Sequence, residues 1–395
     1  MLKLNFKKRL FYVSLAMLLG SCTHAARAAE YEPPTDDVLT EEEWQALDQS
    51  VEKGLAWLAS QQQPDGSFPT MPFGQPGVTA LCELAFLSHG HVPDEGEYGE
   101  RLHKAIDYVA GCQKESGLIA LVSPGGATIN RNIPHLHGST ASYNHAIAML
   151  ALTENYAMGG ASVAEELDPV ISKALQATLQ MQKWNKRRNV DQGGWRYINV
   201  TPEISEALDS DLSATGWHLM SLRSAKNAGF DVPQEPIDDA VGFVRRCFIP
   251  EYGAFLLFSS KSDHRSRGMA GAGILALAHA GLHDAPETKE AGDWILKYGF
   301  TNYNVQETFG KVGFVDDRYH YSAFNCCQAM YQLGGDYWRD FFPPLARTLI
   351  ASQNPDGSWD PESHFDDRPY GNSYTTALVL LSLGAPNQLI PIFQR

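Results

Sequence analysis

The chain has 395 residues, of which 44% are hydrophobic and 19% charged, enough for one large globular domain or two small ones. Its formal net charge of −15 argues against a nucleic-acid partner, because phosphate contacts need a basic surface.

The first element is a targeting segment. "MLKLNFKKRL" carries Lys3, Lys7, Lys8 and Arg9, and the apolar run "FYVSLAMLLG" follows, too short to span a bilayer as a mature helix. "LGSC", Leu19 to Cys22, has the form of a bacterial lipobox, which makes residues 1–22 a lipoprotein-like signal peptide and Cys22 a lipidated membrane attachment point. Plain secretion, with cleavage in "HAARAAE" around Ala28, is the competing reading. Either way the protein is exported, as a periplasmic protein or a membrane-anchored lipoprotein. Residues 23–40 read as a tether. Cys82, Cys112, Cys247, Cys326 and Cys327 lie in apolar helical segments with no CxxC pair, the pattern of small buried hydrophobes rather than of a disulfide framework or a metal site.

From residue 41 onward the chain repeats itself. "KGLAWLASQQQPDGSF" (from Lys53) is followed by "KAIDYVAGCQKESGLI" (from Lys104), a looser "SKALQATLQMQ" ending at Gln182 and reaching "QGGW" at Trp195, "DAVGFVRRCFIPEYGAF", "EAGDWILKYGF" and "RTLIASQNPDGSW" ending at Trp359. The six copies are spaced by roughly 50–70 residues. An aromatic–aliphatic pair, present in four copies, marks the buried stripe of a helix, and Gln, also present in four, stands near the helix end. Pro-Asp-Gly makes a turn, because Pro cannot prolong the helix and Gly permits φ > 0. After each turn comes a second, more apolar helix such as "GMAGAGILALAHAG" or "SYTTALVLLSLGA". Helices apolar nearly all round are enclosed by others. Six outer-turn-inner hairpins predict an all-α fold, an α6/α6 toroid over residues 41–395, with an open α-solenoid as the alternative.

The pattern Lys/Arg-Gly/Ala-x-x-aromatic-aliphatic-x-x-x-Gln-x-x-x-Gly-x-Trp resembles the QW repeat of squalene–hopene cyclases, and Lys53–Phe68 matches it everywhere except Phe68 for Trp. The chain thus resembles a single-toroid member of the terpenoid cyclase and protein prenyltransferase superfamily, over roughly residues 41–386. The resemblance implies the toroid; toroids host several chemistries.

The connections from outer to inner helices are the long ones, and they gather the polar candidates at one rim. "HLHGSTASYNH" supplies His135, His137, Ser139, Tyr143 and His145; "DSDLSATGWH" supplies Asp209, Asp211, Trp217 and His218. "SDHRSRG" gives Asp263, His264, Arg265 and Arg267; "DDRYHY" gives Asp316, Asp317, Arg318, Tyr319, His320 and Tyr321; "DDRPYGNSY" gives Asp366, Asp367, Arg368, Tyr370, Asn372 and Tyr374. Aligning "SYNHAIAMLAL" with "SYTTALVLLSL" sets Tyr143 level with Tyr374. This register predicts that Asp211, His145, Tyr143, His320, Tyr321 and Arg267 face one central cavity, fed by the positive dipole ends of the inner helices.

Within the resemblance, "DSDLSA" stands where class II terpene cyclases carry Asp-x-Asp-Asp-Thr-Ala, so Asp211 matches the proton donor, but Leu212 replaces the next Asp and the rim is polar. His135 and His137 lack a carboxylate at ligand spacing, and no metal or cofactor is expected. A polar, carbohydrate-like small molecule or oligosaccharide is the expected ligand, bound or transformed. A lyase would use Tyr or His as base and Arg, His or Asn against a uronate; a hydrolase would use two carboxylates, Asp211 with Asp317 or Asp367. Terpenoid cyclisation through Asp211 and a non-enzymatic binding or scaffold lipoprotein are the alternatives.

Overall fold

The structure, a computed structural model, describes residues 37–122, 135–198, 210–259, 264–309 and 317–394. The signal peptide, most of the tether, Asp209, Asp263, Asp316 and the side chains of His135 and His137 lie outside the described residues. Among the described residues, twelve α-helices alternate between two roles. The outer helices are α1 (Glu41–Gln61), α3 (Gly99–Gly111), α5 (Ala161–Gln182), α7 (Gln234–Arg246), α9 (Pro286–Lys297) and α11 (Gly335–Ala351). The inner helices are α2 (Gly77–Leu87), α4 (His135–Met158), α6 (Leu212–Asn227), α8 (Arg267–His279), α10 (Tyr319–Leu333) and α12 (Gly371–Leu383). Each inner helix packs on the next, and α12 packs back on α2, so the ring closes and the fold is an α6/α6 toroid. A two-stranded ribbon, Phe248–Ile249 against Ala254–Phe255, forms the turn after α7.

Burial follows the sequence pattern. Along α7 the buried residues are Pro236, Ile237, Ala240, Phe243 and Val244, one stripe of a 3.6-residue helix. All of α2 and all of α8 are buried, because these helices have the ring on one side and the outer layer on the other.

The repeated turn has a double function. Gly66 and Gly357 take φ of +90° and +98°, which a side chain disfavours. A Cβ on either would also collide with the backbone of the neighbouring outer helix, at the carbonyls of Lys104 and Lys53 respectively. The preceding Gln completes the junction. Gln62 Nε2 donates to Gly66 O of its own turn (3.0 Å) and to Arg101 O of α3 (2.8 Å). Gln113 does the same with Gly117 O (3.4 Å) and Val170 O (2.7 Å), and Gln182 with Gly193 O and Pro236 O (both 2.8 Å). Gln353 reaches Gly357 O (2.9 Å) and Ser50 O of α1 (2.8 Å), which ties the last repeat to the first. The two Gln-less junctions differ: Gly253 of the ribbon faces α9 at Glu290 O, and Tyr337 of α11 bonds Asp293 of α9 at 2.9 Å.

The end of the ring opposite these turns is filled by the chain's last residues. Ile390, Ile392 and Phe393 are buried. Phe393 meets Phe324 at 5.9 Å and His279 at 6.2 Å, and its carbonyl accepts from Gln332 Nε2 at 2.6 Å. Glu154 of α4 fastens this segment: Oε2 accepts from Ile392 N at 3.4 Å and Oε1 from Ser224 Oγ at 2.5 Å. Burial raises the Glu154 carboxyl from 4.5 to about 7, with those two hydrogen bonds opposing. A carboxyl raised in the folded state stabilises fully below its unfolded value, and that contribution falls as pH rises from about 4.5 to about 7, by roughly 3 kcal/mol. Glu154→Gln keeps an acceptor and removes the proton. Urea midpoints at pH 4.5, 6 and 8 should therefore show the variant gaining on the wild type up to pH 7 and levelling off above it.

Candidate functional site

The rim is where the long connections enter the inner helices, and the repeats consume most of its polarity themselves. Free backbone N–H groups at a helix start demand partners, and here the following repeat supplies them. Gly77 N of α2 bonds Asn144 Oδ1 (3.2 Å), Leu212 N of α6 bonds Leu257 O (2.8 Å), Arg267 N of α8 bonds Asp317 Oδ1 (2.9 Å) and His320 N of α10 bonds Glu362 Oε2 (3.0 Å). The positive ends of these helices are thus occupied and do not open on the ring axis, contrary to the expectation from the sequence.

Three of the six candidate residues belong to the walls between repeats. His145 accepts from Ile119 N at Nδ1 (3.0 Å) and, with its proton on Nε2, donates to Thr178 Oγ1 (2.9 Å). It stands in for a threonine. Phe68 N bonds Thr79 Oγ1 (3.1 Å), Trp195 N bonds Thr215 Oγ1 (3.0 Å) and Trp359 N bonds Thr376 Oγ1 (3.1 Å), each at the closing residue of its turn. Burial lowers the His145 pKa to about 4, which keeps it neutral. Arg267 is buried against Asp317, with Nε at 3.0 Å and Nη2 at 2.6 Å, and its guanidinium lies 3.8 Å over the Phe300 ring. His320 is buried between Glu362, 2.9 Å from Nδ1, and the Tyr303 hydroxyl, 3.0 Å from Nε2. Burial alone would raise Glu362, but the hydrogen bonds and charge of His320 bring it down to about 2. His145, Arg267 and His320 are therefore not cavity residues: each points between hairpins, because the helix turn that carries it packs on a neighbour.

Asp211, Tyr143 and Tyr321 do come together. Asp211 caps α6: Oδ1 accepts from Ala214 N (2.7 Å) and Ser213 Oγ (2.8 Å), and Oδ2 pairs with Arg196. Since the Ser213 proton goes to Asp211, the Tyr143 hydroxyl donates to Ser213 Oγ, at 2.6 Å. Asp211 is fully buried beneath this chain of hydrogen bonds, whereas Tyr143 and Tyr321 are half-buried. With them stand Tyr197, 6.1 Å from Tyr143 ring to ring, and the Tyr370–Tyr374 pair at 5.5 Å. Arg318 acts electrostatically on all five phenols. Burial opposes its charge, but Asp367 (3.2 Å from Nε) and Asp366 (3.0 Å from Nη2) outweigh that and keep it protonated. Burial raises all five phenols, Asp211 or Asp367 adding to it, so they stay neutral hydroxyl donors and acceptors. Beside Tyr321 lies a buried aromatic layer, starting with Trp217 at 6.4 Å ring to ring. Trp217 stacks on Phe324 at 5.6 Å, and Phe324 meets Phe393 of the C-terminal segment. The five phenols around Arg318, with the buried Trp217 against Tyr321, make up the candidate site, called the cup below.

Tyr197 was absent from the sequence candidates, although its place two residues after the closing Trp195 sets it on the rim. Tyr303 and Glu362 were absent too, and their partner His320 lies too far away in sequence to signal them. Among the described residues one group has metal-ligand atoms in reach, His103, Asp107 and Glu166, within 4.8 Å of one another. It sits on the outer helices α3 and α5.

No protein-family model and no curated protein matches the sequence. Solved structures match the fold. A variant of the type II terpene cyclase MstE from Scytonema, in complex with its product merosterolic acid A, aligns with a TM-score of 0.53 at 15% identity, over 90% of this chain and 100% of that one. A glycosidase variant in complex with glucose aligns with a TM-score of 0.59 at 11% identity, over 89% of this chain and 100% of that one. At these identities the likeness is one of fold, shared by a protein that binds a terpenoid and one that binds a sugar.

The substitute role of His145 gives a direct test. His145→Ala leaves the Ile119 N–H buried without an acceptor and should cost on the order of 2 kcal/mol. His145→Thr restores the hydroxyl acceptor found in three other repeats and should recover part of that loss, both read from denaturant midpoints.

Proposed function

We propose that the protein binds a neutral, polar ligand of carbohydrate type in the phenol-lined cup. The observation that carries this reading is the set of five half-buried tyrosines around Arg318. Phenols offer flat faces for the C–H surface of a sugar ring and hydroxyls for its hydroxyls. A uronate is a poorer fit, because the three buried or half-buried arginines Arg196, Arg267 and Arg318 are committed, to Asp211, to Asp317 and to Asp366 with Asp367. Terpenoid cyclisation needs a carboxylic acid that gives up a proton inside a deep apolar cavity. Asp211 is an acceptor on every side, and Trp217, Phe324 and Phe393 pack ring against ring. A hydrolase with Asp317 as one carboxylate is disfavoured by its pairing with Arg267.

Trp217, against Tyr321, supplies a fluorescence reporter for binding. Neutral oligosaccharides should perturb it and bind in calorimetry, and Tyr374→Phe with Tyr321→Phe should weaken that binding at least tenfold while the fold survives. Turnover of a polyprenyl substrate that is lost in Asp211→Asn would overturn the reading in favour of cyclisation.

The chain is exported in this proposal, with Cys22 as its lipid anchor. Cys22→Ala should move the protein out of the membrane fraction; unchanged fractionation would leave ordinary secretion as the better account.

A further inference from the structure

Seven large hydrophobic residues are exposed among the described residues, and six of them, Leu121, Val190, Tyr252, Tyr298, Val305 and Phe365, lie on the outer-to-inner connections that build the rim. Phe365 is the extreme case, at 75% exposure. Its position is supported from beneath. The His364 imidazole lies under the ring, 4.7 Å between centroids and 24° from parallel. His364 is itself buried and pinned, with its N–H bonded to Glu362 Oε1 (3.3 Å) and its Nδ1 accepting from Asp366 N (3.3 Å). One face of the phenyl ring is therefore backed and the other is open. The next residue, Asp366, bonds Arg318, the cation at the centre of the cup.

We propose that Phe365 is the stacking platform of an outer subsite, and that the ligand is an oligosaccharide of two or more residues running from the cup outward over the loop that carries Phe365. The proposal rests on the reading of the cup as a carbohydrate site. Its own support is the chemistry around the ring. Ser363, Asp366 and Arg368 beside Phe365 are all exposed and polar. A protein partner or a bilayer favours contiguous apolar surface. A lone aromatic face within a polar collar instead suits a ligand with an apolar face and a polar edge, as a pyranose has. A polymer also explains why an aromatic as exposed as Phe365 stands outside the cup when the cup is already lined by five.

The test is a length series of neutral oligosaccharides, cello-, chito- and β-1,3-gluco-, from one to six residues, titrated calorimetrically into the full chain. In the wild type, affinity should rise roughly tenfold on adding the residue that reaches Phe365. Phe365→Ala should abolish that gain and leave monosaccharide binding unchanged, and Phe365→Trp should keep it. Because the ring is exposed, the thermal midpoint should not move in either variant. Tyr374→Phe should weaken all lengths alike. A length dependence that is missing in the wild type, or that survives in Phe365→Ala, overturns the outer subsite while leaving the cup intact. No binding of any sugar at any length overturns the carbohydrate reading itself and the subsite with it.

Discussion

A carboxamide nitrogen carries two N–H bonds, and in this toroid the repeat glutamines direct them at backbone carbonyls of two different repeats. One bond closes the turn that ends the outer helix; the other holds the next outer helix against that turn. The turn glycine allows the approach, since a Cβ there would strike the same neighbouring helix. At four of the six junctions one hairpin is thereby tied to the next, and the last of these ties the sixth hairpin to the first. Gln353 then bonds Ser50 as Gln62 bonds Arg101. A solenoid leaves its terminal repeats with unmatched faces. Here the contact between α12 and α2 and the glutamine of the sixth repeat satisfy both ends at once, so closure is built from the same interaction as propagation.

Closure has a consequence for the rim. Four inner helices, α2, α6, α8 and α10, start beside an acceptor of the following repeat that takes one of their free N–H groups: Asn144, Leu257 O, Asp317 and Glu362. Most of the histidines, acids and arginines at the rim serve these junctions. The residues left to face the axis are those at the inner-helix starts that no neighbour engages from behind, and these are mainly tyrosines. A site of neutral phenols follows from a fold that uses its charges to hold itself together.

The architecture was legible in the sequence because the glutamine, the turn glycine and the closing aromatic stand close together within one hairpin and recur at recognisable spacing. The level of Tyr143 and Tyr374 was legible for the same reason. The same alignment sets His145 over Thr376, and so already contained the structural role of His145, which its residue type concealed. The roles of Arg267 and His320 were not legible. Their partners Asp317 and Glu362 lie 50 and 42 residues away, in the next hairpin, and only the angle between hairpins brings them together. A polar residue near a rim can face the axis or its neighbour, and local pattern does not distinguish the two.

The two Asp-Asp-Arg segments show how fine that distinction is. In both, the second aspartate pairs with an arginine of the preceding repeat: Asp317 with Arg267, and Asp367 with Arg318. The two arginines nevertheless end in different places. Arg267 is the first residue of α8, after the cap Ser266, and its guanidinium is buried over Phe300 in the wall. Arg318 is the cap of α10 itself, one position earlier relative to its helix, and it remains partly exposed among the five phenols. Arg318 has the extended backbone of a cap rather than a helical one, and the same acid–arginine pair is a clamp between the fourth and fifth repeats and the centre of the cup between the fifth and sixth.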